Sequence, residues 1–157
     1  MATLHLMCGL PGAGKTTRAI ELERSLPALR LTPDEWIFRV LGPTPDKNVL
    51  NAARDPVESL LWDVAARALA LGINVILDFG FWSRSEREDY RGRAAVLQAG
   101  SELHFVDASS EVLLARLASR VAEKPLNTFT ISPAQMAEWS AVFEPPTAEE
   151  LVPRAAP

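Results

Sequence analysis

Three glycines, a lysine and a threonine set at fixed intervals open the chain's chemistry: Gly9-Leu10-Pro11-Gly12-Ala13-Gly14-Lys15-Thr16, followed by Thr17. The spacing is G-x-x-x-x-G-K-[ST], the pattern of a loop that wraps phosphate. Gly9, Gly12 and Gly14 allow a tight turn that brings successive backbone N–H groups against an anion, where a Cβ would stand in the way. The helix that starts there adds its positive end, Lys15 reaches the β and γ oxygens of a triphosphate, and the Thr16 hydroxyl is placed to ligate Mg²⁺. The segment Gly9 to Thr17 is therefore expected to bind a nucleoside triphosphate.

Other groups fall where they could act on that triphosphate. Asp34 follows a short apolar run and is the candidate base that takes a proton from an acceptor hydroxyl. Asp78 ends the run Val75-Ile76-Leu77 and is a candidate Mg²⁺ holder, through water. Arg116 and Arg120 are four apart on one helical face, beside a loop rich in Pro, Asn and Thr, and read as lid arginines that stabilise charge on the transferring group. Trp36, Arg39, Trp82 and Arg84 are candidates for an acceptor pocket, the arginines reading an anionic acceptor. Cys8 reads as a buried filler. His5 and His104 read as packed or edge residues on strands, without metal-ligand spacing to Cys8.

These positions need a frame of alternating strands and helices. Strands are expected over Thr3 to Cys8, Ala28 to Leu31, Ile73 to Leu77 and Leu103 to Val106. Helices are expected over Thr17 to Leu26, from Pro33 to near Leu41, over Asp55 to Leu71, from Ser83 to about Ala99, over Ser110 to Val121, and from Pro133 to Glu144. Thr32 with Glu35, Ser83 with Glu86 and Ser132 with Gln135 have capping-box spacing. Gly42-Pro43-Thr44-Pro45 breaks the second helix, the polar stretch from there to Arg54 is expected as loop, and so is Lys124 to Ile131. Strand and helix in alternation give a three-layer α/β/α fold on a mostly parallel sheet of four or five strands. In such sheets ligands sit at the carboxyl ends of strands, which is where the loop, Asp34 and Asp78 fall.

Bulk properties bound the rest. A chain of 157 residues forms one domain, 1–157, with about 147–157 expected as a flexible tail. Sixteen basic against twenty acidic residues, a net charge of −4, argue against broad adhesion to nucleic acid. No apolar run nears the roughly 18 residues of a membrane span, and with a single cysteine the expected location is cytoplasmic, with no membrane partner.

The phosphate loop (a Walker A motif), Leu31-Thr32-Pro33-Asp34-Glu35-Trp36, Leu77-Asp78-Phe79-Gly80-Phe81-Trp82-Ser83-Arg84 and Phe143-Glu144-Pro145-Pro146-Thr147 resemble, in this order and almost end to end, the small P-loop kinases grouped as AAA-type ATP-binding "predicted kinases". That group is related to the kinase domain of phage polynucleotide kinase, to zeta toxins and to chloramphenicol phosphotransferase. The resemblance implies a P-loop NTPase fold and ATP- and Mg²⁺-dependent transfer of the γ-phosphoryl group to a hydroxyl. Asp34 would be the catalytic aspartate, Arg116 or Arg120 the lid arginine, and Lys15 a catalytic contact to the phosphates. In the polynucleotide kinase an arginine three residues after the aspartate helps bind the acceptor's phosphate. Here that position is Ile37, with Arg39 two further on, so a small-molecule acceptor is favoured over a nucleic-acid 5′-hydroxyl. A nucleotide-binding switch with only slow hydrolysis is the remaining alternative. The family usually adds a fifth strand after the lid, for which only Glu150-Leu151-Val152 remains here.

Overall fold

A computed structural model describes residues 1–42, 46–123 and 131–157. The expected breaker residues 43–45 and the expected loop 124–130 lie outside them. Four strands and six helices follow one another along the described residues: β1 (Thr3–Cys8), α1 (Lys15–Ser25), β2 (Ala28–Leu31), α2 (Pro33–Leu41), α3 (Lys47–Ala70), β3 (Asn74–Gly80), α4 (Arg84–Val96), β4 (Gly100–Phe105), α5 (Ser110–Glu123) and α6 (Pro133–Val142). All strand pairs are parallel, in the order β2-β3-β1-β4. β1 thus lies inside the sheet, and the turn that leaves it opens at the carboxyl edge beside the end of β3.

The near-continuous apolar strands are buried on both faces, as a sheet covered by two helical layers requires. Leu4, Leu6, Cys8, Val75 and Leu77 pack with Leu61, Ala65, Ala68 and Leu69 of α3 and Tyr90 and Ala94 of α4. The alternate residues Met7 and Ile76 meet Ala19 and Leu22 of α1 on the other face. A smaller cluster of Ala13, Leu113, Leu117 and Met136 fastens the phosphate loop to α5 and α6.

Three expectations change. The stretch before Arg54 is helix rather than loop: α3 starts at Lys47, its cap Asp46 accepts from the Asn48 N–H at 2.9 Å, and buried Leu50 anchors the added turns. Residues 147–157 are not a loose tail. Arg154 exchanges both backbone hydrogen bonds with Ser101 as an isolated antiparallel bridge on β4, where a fifth strand would lie. Gly100 makes room for it, since a Cβ there would come within 3.0 Å of the Arg154 carbonyl. Thr32 and Glu35 form no capping box, and the Thr32 hydroxyl turns elsewhere. The other two pairs do cap: Ser83 accepts from Glu86 N, and Ser132 with Gln135 closes a full box.

Pro56 lies inside α3 at an exposed position, where it removes one helical N–H donor. Pro56→Ala is expected to stabilise the fold by about 1–3 kcal/mol, read as a thermal midpoint several degrees higher. A lowered midpoint would mean that the proline is needed to shape the helix.

Candidate active site

The loop after β1 takes the form its glycines permit. Gly9, at φ 153°, lies so close to the next segment that a Cβ would meet the Val106 carbonyl at 2.5 Å. Gly14 at φ 102° leads into α1, whose first residue is Lys15. The helix N–H groups and the Lys15 side chain therefore share one concavity, and the Lys15 ammonium donates to the Leu10 carbonyl at 2.9 Å.

Beside it, three elements converge on one carboxylate. The Thr16 hydroxyl of α1 donates to Asp78 Oδ2 at 2.6 Å, and the Thr32 hydroxyl at the end of β2 donates to the same oxygen at 3.2 Å. Arg30 Nη1 holds Thr32 Oγ1 from the other side at 2.6 Å and Glu35 at 2.8 Å, which is why the expected capping box does not form. Asp78 is buried, and burial raises its carboxyl above the usual range, with the two hydroxyls and the Lys15 charge opposing. Burial likewise lowers Lys15, with Asp78 and Asp34 pulling it back up. A cation and an anion both pushed toward neutrality make this a candidate functional site. The Thr16 hydroxyl and the Asp78 carboxylate are hard oxygen donors side by side, a set that fits Mg²⁺.

Asp34 stands in the first turn of α2, more than half exposed, with Oδ1 accepting from Arg54 Nη2 at 2.7 Å. Arg54 belongs to the part of α3 expected as loop, so its place at the site was hidden. Its other nitrogen is 3.6 Å from Glu58, a carboxyl that burial pushes up to about 7 against the pull of Arg54. Ile37 is buried, so the fourth position of the Asp34 segment presents no polar group.

On the β4 side, Arg116 Nη1 donates to the carbonyls of Gly12 at 3.3 Å and Ala13 at 3.1 Å. An open cleft of about 480 Å³ runs between α1 and α5, with Thr17 and Arg18 on one wall and Arg116 and Arg120 on the other. Both expected lid arginines thus face the loop, one bonded to it and one along the cleft. The acceptor candidates are not gathered in the same way. Trp82 packs against Trp139 at 5.7 Å between ring centroids, the backbone N–H of Arg84 is tied to Glu144 at 2.7 Å, and Trp36 and Arg39 lie exposed on α2. Phe79 and Phe81 stack on each other and meet Tyr90 edge-on, covering the core.

The AAA domain family matches residues 4–146. The chain belongs to this AAA domain family. Solved structures share the fold: a kinase-like protein from Chloroflexus aurantiacus is 22% identical, with a TM-score of 0.75, 94% of this chain covered and 83% of that one. A chain of the Pnkp1/Rnl/Hen1 RNA repair complex is 18% identical with a TM-score of 0.75, and the match covers 90% of this chain and 43% of that chain. A gluconokinase from Sinorhizobium meliloti is 18% identical, with a TM-score of 0.61 and coverage of 96% and 78%. No curated protein matches the sequence. At these identities the solved neighbours establish the α/β fold and nothing finer. Among the described residues of this family member, no helix is long and apolar enough to cross a membrane.

Proposed function

We propose that the chain is an ATP- and Mg²⁺-dependent phosphotransferase that moves the γ-phosphoryl group to a hydroxyl of a small molecule. The observation that carries this reading is the pairing of the phosphate loop with Asp34, an exposed carboxylate held at 2.7 Å by Arg54 on the side of the loop away from α5. A nucleotide switch needs only the loop and its metal partner. A kinase also needs a base facing the acceptor.

Residue roles follow from this division. The loop Gly9 to Thr17 holds the phosphates through backbone N–H groups such as those of Gly12 and of Gly14 to Thr17 and through the Lys15 ammonium, and Arg116 and Arg120 bring positive charge from α5. Thr16 and Asp78 would hold Mg²⁺, which when bound neutralises charge on the β and γ oxygens. Asp34 accepts the proton of the acceptor hydroxyl as its oxygen bonds to the γ-phosphorus and the β–γ bridge P–O bond breaks, releasing ADP. Arg54 fixes the Asp34 carboxylate through Oδ1 and leaves Oδ2 toward the acceptor. Solved neighbours described as a gluconokinase and a sugar kinase support a small hydroxyl-bearing acceptor. Trp36, Arg39, Trp82 and Arg84 remain the proposed acceptor contacts.

The test is ADP formation from ATP and Mg²⁺ across nucleosides, sugars, hydroxyl-bearing antibiotics and 5′-hydroxyl oligonucleotides. At least one small-molecule class should raise the rate by about tenfold or more over ATP alone. Stimulation by oligonucleotides only would reassign the acceptor to a polynucleotide end. Slow hydrolysis indifferent to every class would favour the switch.

A further inference from the structure

We propose that His5, Glu102 and His104 form a binding site for a divalent transition-metal ion of the zinc class, separate from the phosphate loop. The chain has two histidines in all, 99 residues apart, and the fold brings them together. β1 and β4 pair in parallel with His5 opposite Glu102 and Met7 opposite His104. Side chains two apart on a strand share a face, so Glu102 and His104 stand on the same side of β4, next to His5.

The three groups converge closely. His5 Nδ1 lies 3.0 Å from His104 Nε2, and the Glu102 carboxylate oxygens lie 3.7 Å from His5 Nδ1 and 3.8 Å from His104 Nε2. Ligand atoms bound tetrahedrally to zinc, at roughly 2.0–2.2 Å from the ion, stand roughly 3.3–3.5 Å from one another. The two Glu102 distances are to different carboxylate oxygens, Oε2 and Oε1, and with one ligand atom per residue the three lie within 4.8 Å of one another, so a rotation of the partly exposed Glu102 side chain closes the triangle to that size. His5 is buried, whereas the side chains of His104 and Glu102 are 14% and 38% exposed, so the triangle opens to solvent on one side, where a water completes four-coordination. Two imidazoles and one carboxylate suit zinc and its neighbours in the first transition row, while Mg²⁺ prefers oxygen donors throughout. An ion here would cross-link the edge strand β4 to β1, about four residues of strand away from Gly9.

The test uses the full chain stripped with a chelator and titrated with Zn²⁺ alone in a calorimeter, with Co²⁺ absorption as a second readout. One equivalent should bind, the thermal midpoint should rise by several degrees in excess zinc, and Co²⁺ should give visible tetrahedral bands. His104→Gln and Glu102→Gln should each weaken Zn²⁺ binding by about tenfold or more, and Asp78→Asn should leave it unchanged. Glu102 is exposed enough for its variant to fold even if His104→Gln does not. Absence of saturable one-to-one binding, equal affinity in the Glu102→Gln variant, or loss of binding in Asp78→Asn would overturn the proposal and leave the histidines as a hydrogen-bonded pair.

Discussion

Asp34→Asn is expected to leave ATP binding within about twofold and to slow phosphoryl transfer by about 10²- to 10⁴-fold. The substitution keeps the shape of the side chain and removes its capacity to accept a proton. Its structural cost is small, because Asp34 is more than half exposed and its ion pair to Arg54 is only partly shielded from water. Binding should survive because Asp34 touches neither the loop amides nor the Thr16–Asp78 pair. Rates are to be compared with an acceptor that stimulates the unaltered protein, beside ATP affinity measured by calorimetry. A loss of less than about tenfold would remove Asp34 as the base.

Glu150→Ala is expected to destabilise the protein by about 3–5 kcal/mol and to lower its thermal midpoint by roughly 6–20 °C. Arg87 and Glu150 are 1% and 2% exposed and joined at 2.8 Å. Arg87 also donates to the carbonyls of Phe81 at 3.1 Å and Glu144 at 2.9 Å, so it ties the turn after β3 to the C-terminal segment. Truncating Glu150 strands the guanidinium without its partner, which costs more than the pair itself contributes. Phe81, at φ 47° in the left-handed region, lies in that turn and is held there through its carbonyl by Arg87. Burial works to raise Glu150, but Arg87 and the Thr147 N–H bring it to a net value below its ordinary 4.5. Its contribution is therefore complete above that ordinary value and is lost as pH falls through the lower folded one. Thermal and denaturant unfolding of Glu150→Ala, beside the double variant Arg87→Met with Glu150→Leu, checks the argument. The double variant should recover most of the loss, and a single-variant loss under about 1 kcal/mol would contradict the clasp.

What was readable in the sequence follows the range of the interactions. The loop, Asp34 and Asp78 stand at the ends of apolar strands, and contiguous patterns of spacing and periodicity reveal such positions. Arg54 was hidden because it lies 20 residues from Asp34, on turns of α3 whose polar sequence reads as loop. Thr32 has the spacing of a helix cap, yet Arg30 donates to its hydroxyl oxygen and takes Glu35, while the hydroxyl proton goes to Asp78, 46 residues away. The same limit applies to Glu150 and Arg87, 63 apart, and to the two histidines. The register of β1 against β4 unites the histidines, and the docking of the C-terminal segment on α4 unites Arg87 with Glu150; no local pattern encodes either. The acceptor pocket is the least readable part: among its candidates Trp36 and Arg39 lie exposed on α2, and Trp82 lies on a turn whose direction depends on packing against Trp139.

In the proposed reaction the γ-phosphoryl group passes to a hydroxyl on the Asp34 side of the loop. The fate of the γ-phosphate tests it most directly: ATP labelled at that position, with Mg²⁺ and a stimulating acceptor, followed by separation of the products. Label is expected in a phosphate ester of the acceptor, matching ADP mole for mole and suppressed by Asp34→Asn. Label recovered only as inorganic phosphate, at a rate indifferent to the acceptor and to Asp34, would contradict it.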